Sequence, residues 1–248
     1  MERSFFRVGE AMMLDFLLNL EQLLKIWPDN AKWNIVQIAE QSRTQIPHVH
    51  EYLSGALNKS IDIHDPLTFN EVSKAHAIIS ERYKVQLEGR RLREKQAIED
   101  SIRAYDFAQE KIRVMLTAKN WRGAYKTLSY FYGINKNLLP GEIITSVCDN
   151  CLRIGIRANI NFQELSGWLK LGIDTLMGAP SQSNFEDALD FLDAYGEYFL
   201  DEPKGKGEQF ITNLFLTLKP SAMEYDLTPR FNQVAGELSL TAVMDEMI

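Results

Sequence analysis

Apolar residues recur three and four positions apart along almost the whole of this 248-residue chain. This spacing places them on one face of an α-helix, whereas a half-buried β-strand needs alternating apolar and polar residues. Sustained alternation is missing, and so are the Asn-Gly and Asp-Gly pairs that favour hairpin turns. The sequence therefore predicts an all-α fold.

Turn and capping residues divide this pattern into helices. The first helix is predicted from Val8 to Trp27, and Pro28 ends it. Asp29 is the expected N-cap of the second helix, and Pro47 fits the first turn of the third. Later helices are expected to start at or near Thr68, Asn120, Pro140, Asn161, Ser183, Phe210 and Pro229.

A helical pattern runs from Thr68 to Lys119, but its apolar stripe fails over residues 88–96. Either a solvated helical connector or a break near Gly89 explains this failure. We therefore predict three regions: a small helical module over 1–80, a charged helical connector over 81–97, and a helical-hairpin array or irregular bundle over 98–248.

Composition narrows the class of protein. No uncharged apolar run approaches the roughly 20 residues that a membrane span needs, and no signal peptide is recognisable, so a cytoplasmic location is expected. Two cysteines cannot form a disulfide framework. Charge is polarised, with 12 Lys and Arg against 7 Asp and Glu in residues 81–126, and 4 against 13 in residues 181–248. Such polarity favours electrostatic complementarity with partners or between the halves of the chain.

The segment from Ile38 to Leu53 resembles the helix-turn-helix of bacterial regulators, because Ala39 and Val49 fall where that motif packs its two helices. The resemblance covers about residues 35–57 and implies either DNA binding or use as a packing or protein-binding module. Arg43 stands where the motif usually has glycine, and no β-hairpin wing follows. The expected reading helix lacks the Lys and Arg that neutralise phosphates, which favours the second use.

Two segments, Asn120–Ala124 and Asn184–Ala188, share the form Asn-aromatic-x-x-Ala and lie 64 positions apart. They resemble the start of the second helix in tetratricopeptide hairpins. The resemblance covers about residues 105–200 and implies a stack of helical hairpins that presents a groove to a peptide or helix. An irregular helical bundle is the alternative.

No pattern typical of catalysis is present, so we expect no enzyme activity, no cofactor and no metal. Cys148 and Cys151 have the spacing of half a zinc site, which His48 and His50 would complete, or they are small core residues. The acidic cluster from Glu186 to Glu197 lacks the Glu-x-x-His pattern of di-iron bundles, so a solvated or partner-facing surface is expected.

These observations predict a non-catalytic adaptor or scaffold subunit within a larger multiprotein assembly. The first helix is apolar around most of its circumference, so it is either central in its own domain or inserted into a partner. The predicted partner-binding residues are Phe16, Leu20, Leu24 and Trp27 for docking, with Arg90, Arg91, Arg93, Glu186, Asp187, Asp190 and Asp193 as charged surfaces. Expected partners are other protein subunits; self-association is left open, and nucleic acid is not expected. The alternative is a helix-turn-helix transcriptional regulator with a helical sensing or dimerisation domain.

Overall fold

The computed structural model describes residues 2–201 and 205–240, with side chains from residue 11 onward. These residues form eleven α-helices and one pair of two-residue strands, so the all-α prediction is confirmed. The elements, in chain order, are α1 Glu2–Lys25, β1 Lys32–Trp33, α2 Ile35–Gln41, α3 Ile46–Leu57, β2 Leu67–Thr68, α4 Phe69–Arg82, α5 Lys84–Thr117, α6 Trp121–Asn135, α7 Gly141–Arg157, α8 Phe162–Met177, α9 Gln182–Leu200, α10 Lys206–Glu224 and α11 Thr228–Glu237.

The chain divides into two compact units, an amino-terminal unit of residues 1–95 and a carboxy-terminal unit of residues 96–248. The border lies inside α5, at the carboxy-terminal end of the charged segment where the apolar stripe fails. Because α5 continues through Gly89, the alternative of a break at that glycine is wrong. The helical pattern is interrupted earlier, at Tyr83 between α4 and α5.

The amino-terminal unit has its own apolar core, to which α1 to α5 all contribute. The largest fully buried side chains of this core are Phe16, Leu17, Leu20, Ile35, Ile38, Leu53 and Leu67. The predicted N-cap at Asp29 is wrong. Asn34 caps α2 instead, in a capping box with Gln37, because the residues before Asn34 form a turn and then β1.

The two short strands pair antiparallel, with Lys32 opposite Thr68 and Trp33 opposite Leu67. The sequence analysis did not predict them, since two residues are too few to show alternation. Thr68 is also the N-cap of α4 and forms the predicted capping box with Glu71. The pairing therefore joins the segment before α2 to the start of α4.

In the carboxy-terminal unit, consecutive helices from α6 to α10 pack against each other, and α11 packs on α9 and α10. Asn120 and Asn161 cap α6 and α8 as predicted. The predicted cap at Ser183 is wrong, because Ser181 caps α9 by accepting a hydrogen bond from the Asn184 amide. The core of the carboxy-terminal unit includes the fully buried Leu128, Phe185, Phe199, Phe215 and Phe231.

The two Asn-aromatic-x-x-Ala segments occupy different helix positions. Asn120 is the N-cap of α6, whereas Asn184 lies inside the first turn of α9. Their predicted equivalence is therefore wrong, although Ala124 and Ala188 are both fully buried. Within the described residues, no helix combines the length and the hydropathy that a membrane span requires.

Candidate protein-binding surfaces

The predicted docking stripe of α1 faces the core of the amino-terminal unit. Phe16 and Leu20 are fully buried there, and Leu24 and Trp27 are partly buried against the same cluster. Trp27 lies 4.4 Å from Trp33 between ring centroids and donates a hydrogen bond to the Ala31 carbonyl. The assignment of these side chains to docking is therefore corrected, because folding of this unit already covers them. This burial agrees with the other interpretation of the first helix, in which α1 is central in its own domain.

Two of the three predicted basic residues on α5 are engaged inside the amino-terminal unit. Arg90 pairs with Asp15 of α1 at 2.5 Å and with Glu94 at 2.9 Å. Arg91 pairs with Glu21 of α1. Arg93 is exposed and has no ion-pair partner among the described residues. Arg90 and Arg91 thus hold α5 against α1, and their use for partner binding requires these pairs to open.

The predicted acidic residues lie on the exposed face of α9. Arg230 of α11 donates hydrogen bonds to Asp190 at 3.0 Å and Asp193 at 3.2 Å. Glu186 accepts a hydrogen bond from Gln182, which lies one turn earlier. Asp187 has no cationic partner within the described part of the chain. The cluster is thus partly neutralised on the side that faces α11.

Cys148 and Cys151 are buried in the carboxy-terminal core, which favours their interpretation as small core residues. Burial raises the pKa of the Cys148 thiol to about 12, and the nearby Asp149 carboxylate adds to this shift. Burial also raises the pKa of the Cys151 thiol. A protonated thiol is a poor nucleophile and a poor metal ligand. Across residues 2–201 and 205–240, no group of three His, Cys, Asp or Glu is placed to hold a metal.

The segment that resembles a helix-turn-helix consists of α2, a short turn and α3. Arg43 adopts a left-handed conformation with φ of 52° at the position where the motif usually has glycine. The Ser42 and Thr44 amides donate to the Ile38 and Ala39 carbonyls, each at 2.9 Å, and this ends α2 before α3 begins. These bonds are typical of a helix C-terminus that ends in a left-handed residue.

The charges around this motif do not suit a DNA phosphate backbone. Residues 35–57 contain a single Lys or Arg, which is Arg43. Lys59, just after α3, is held by Glu71 at 2.5 Å. A shallow hollow at the turn is lined by the apolar Val36, Ile46 and Pro47 and by polar residues that include Glu40 and Arg43. Specific DNA binding relies on several phosphate-neutralising cations, so this surface is poorly suited to a DNA backbone.

The sequence analysis missed the outward face of α5 in the carboxy-terminal unit. Ala104, Phe107, Lys111 and Val114 are spaced three and four apart, so they share one helix face, and all four are exposed. The exposed fraction is 76% for Phe107 and 69% for Val114. The face buried in the core belongs instead to Tyr105, Ala108 and Ile112. We call the four exposed residues the α5 outer face.

A second exposed face was also missed, on α6. Arg122, Lys126, Tyr130 and Ile134 follow one another at four-residue spacing and are exposed. Tyr130 is 73% and Ile134 is 63% exposed. We call these four residues the α6 outer face. A signal was available for both faces: once one apolar stripe of a helix is assigned to the core, further large apolar residues on its opposite side are candidates for binding.

Comparison of the chain with models of protein families, with curated proteins and with solved structures gives no match.

Proposed function

We propose that this chain is a non-catalytic adaptor or scaffold subunit that holds other proteins within a larger assembly. The α5 outer face is the observation that carries this proposal. Burying a fully exposed Phe or Val side chain contributes about 1.5–3 kcal/mol, so covering Phe107 and Val114 together would favour association substantially. Apolar residues at alternating three- and four-residue spacing are also what a second helix needs for knobs-into-holes packing.

The centre of the α5 outer face indicates the kind of partner. Lys111 lies between Phe107 and Val114 and has no anionic partner among the described residues. Two copies packed in parallel through this face would bring their Lys111 side chains close together, which opposes self-pairing in that arrangement. A partner helix with an apolar stripe and a carboxylate opposite Lys111 fits better.

The test compares two double variants in affinity purification from the native host followed by mass spectrometry. Phe107→Asp with Val114→Asp places charge on the α5 outer face. The matched control is Asp106→Glu with Arg113→Asp, which makes the same change in net charge, because both wild-type residues are exposed on the same helix and lie outside that face. Circular dichroism verifies that both variants keep their helix content.

The adaptor proposal expects a defined set of proteins that is lost from the first variant and retained by the control. Lys111→Glu is expected to weaken the same contacts. If the folded Phe107→Asp and Val114→Asp variant retains every protein that the control captures, the proposed docking role of this face is wrong.

The backbone of the helix-turn-helix favours a regulator as the second candidate, while its charges oppose one. A salt titration with random duplex DNA separates the two functions. Tight binding with a steep salt dependence, lost in Arg43→Ala and Lys59→Ala, would favour the regulator. The adaptor proposal expects no such binding.

A further inference from the structure

The region around α6 is basic without interruption. Between Glu110 and Glu142 the sequence has six Lys and Arg and no Asp or Glu. On the α6 outer face, Arg122 and Lys126 precede Tyr130 and Ile134 along the helix. Neither cation has an ion-pair partner in the described part of the chain. The face therefore combines unneutralised positive charge with exposed apolar surface.

The region around α9 is the electrostatic opposite. Between Lys170 and Lys204 the sequence has eight Asp and Glu and no Lys, Arg or His. Arg230 neutralises Asp190 and Asp193 near the middle of the helix. Three other acids on the exposed face of α9, Asp187, Glu197 and Asp201, have no cationic partner within residues 2–201 and 205–240. They lie beside the exposed side chains of Ala194 and Tyr198. We call these five residues the α9 outer face.

We infer that the α6 outer face of one copy of this chain packs against the α9 outer face of a second copy. If the two helices pack antiparallel, one register pairs both cations of α6 with acids of α9. A step of four residues back along α6 then matches a step of four residues forward along α9. Lys126 then lies beside Glu197, and Arg122 lies beside Asp201. The same register places Tyr130 level with Asp193 and beside the exposed Ala194, so apolar surface is covered next to the two ion pairs.

This contact is heterologous, because the two copies use different faces. In a pair, one copy keeps its α6 outer face unused and the other keeps its α9 outer face unused. Further copies can therefore bind, and the assembly extends into an open chain or closes into a ring. One helix pair is smaller than the standard interface of about 1,600 Å², so we expect weak association that grows with protein concentration. Salt should weaken it further, because the opposing charges are exposed.

The experiment is analytical ultracentrifugation of the full chain and of charge-reversed variants at low and at high salt. The first variant is Arg122→Glu with Lys126→Glu, which makes the α6 outer face acidic. The second is Glu197→Lys with Asp201→Lys, which makes the α9 outer face basic. Lys32→Glu with Lys74→Glu is the control for the first variant, because it makes the same change in net charge at exposed positions of the amino-terminal unit.

We expect the wild type and the control to form species larger than a dimer as concentration rises. Each charge-reversed variant alone should lose at least about tenfold in association constant, because like charges then oppose each other. An equimolar mixture of the two variants should assemble again, since the acidic α6 of one variant meets the basic α9 of the other. Joining all four substitutions in one chain should also restore assembly.

A wild type that stays monomeric across the concentration range at low salt overturns the inference. So does undiminished assembly of either variant, or failure of the mixture to assemble when circular dichroism shows both variants folded. Because the α5 outer face is unchanged in every variant, its partner set is measured separately. The inference can therefore fail while the adaptor proposal stands, and the reverse also holds.

Discussion

The amino-terminal unit and the carboxy-terminal unit differ in how they use charged side chains, although Arg230 also joins α11 to α9 in the latter. In the amino-terminal unit, Arg90 and Arg91 join α5 to α1, and Lys59 joins the segment after α3 to α4. In the carboxy-terminal unit, the cations of the α6 outer face and the acids of the α9 outer face point outward without partners among the described residues. Charges that join helices of one unit contribute to its folding, whereas outward charges remain available for binding.

The largest expected effect tests whether α1 belongs to the core of its own unit. Leu20→Ala should lower the free energy of unfolding of the amino-terminal unit by about 2–5 kcal/mol, because Leu20 is fully buried. Native-state hydrogen exchange of amides in α1 to α4 measures this unit separately from α6 to α11.

The control for this substitution is Ile26→Ala, because Ile26 is 72% exposed just after α1. We expect it to change stability by less than about 0.5 kcal/mol. Equal effects of the two substitutions would contradict the burial of α1 and return its apolar stripe to the candidates for docking.

The carboxy-terminal unit is expected to depend on close helix approach. A Cβ atom at Gly155 of α7 would lie 2.5 Å from Leu165 Cδ2 and 3.2 Å from the Tyr125 ring. Leu165 is fully buried, and the Tyr125 hydroxyl is held by Glu164 and Trp168. Gly155→Ala should therefore cost about 1–3 kcal/mol, measured by chemical denaturation.

Gly167→Ala in α8 is the matched control, since nothing lies within 4 Å of the added Cβ atom. Alanine is the better helix former, so this variant should be more stable by about 0.5–1 kcal/mol. A loss of stability in Gly155→Ala together with a gain in Gly167→Ala would support close packing at Gly155. A stability change in the same direction for both variants would argue against it.

A smaller effect tests the tie between Lys59 and Glu71. The hydrogen bond from Lys59 and the bond from the Thr68 amide lower the pKa of Glu71 from its ordinary value of 4.5 to about 2. A lowered carboxyl pKa contributes stability above the ordinary value, and this contribution is lost as pH falls from about 4.5 towards about 2. Glu71→Gln keeps the capping acceptor and removes the charge, so it should destabilise by at most about 1 kcal/mol at neutral pH.

The stability of Glu71→Gln and of the wild type should therefore converge as the solution is acidified. Denaturation of both proteins across this pH range measures the difference. A difference that stays constant with pH would show that the Glu71 charge does not stabilise the amino-terminal unit.

The smallest effect compares the two uses of charge directly. Arg91→Gln removes a pair that joins α5 to α1, and an exposed ion pair of this kind contributes about 0.2–1 kcal/mol. Lys126→Gln removes an outward cation and should leave the stability of a dilute sample unchanged. Thermal unfolding at low salt measures both, and a loss of stability in Lys126→Gln would place Lys126 in an internal pair.

The sequence allowed the helices to be predicted because local residues determine where a helix begins. Thr68, Asn120 and Asn161 each cap a helix through a side-chain oxygen that accepts a nearby amide, and such caps are visible in the sequence. The prediction of Asp29 is wrong because Asn34 also suits an N-cap, and the residues between the two form a turn and β1, which pairs with β2.

The binding surfaces were harder to predict because helical periodicity shows which residues share a face, but not which face a neighbour covers. Phe16 and Leu20 have the spacing expected of a docking stripe and are buried, whereas Phe107 lies off the main apolar stripe of α5 and is exposed. Arg90 and Arg91 pair with Asp15 and Glu21, which lie about seventy positions earlier in the chain. Such distant pairs depend on tertiary packing, which no local pattern reports.

The uninterrupted hydrogen bonding of α5 has a consequence for proteolysis. Residues 88–96 contain Arg90, Arg91, Arg93 and Lys95, each of which provides a peptide bond that trypsin recognises. Proteases cleave extended backbone, and here every one of these bonds lies within helix. The densest group of tryptic sites in the chain should therefore resist digestion, and the rate of cutting there would report how often this part of α5 unwinds.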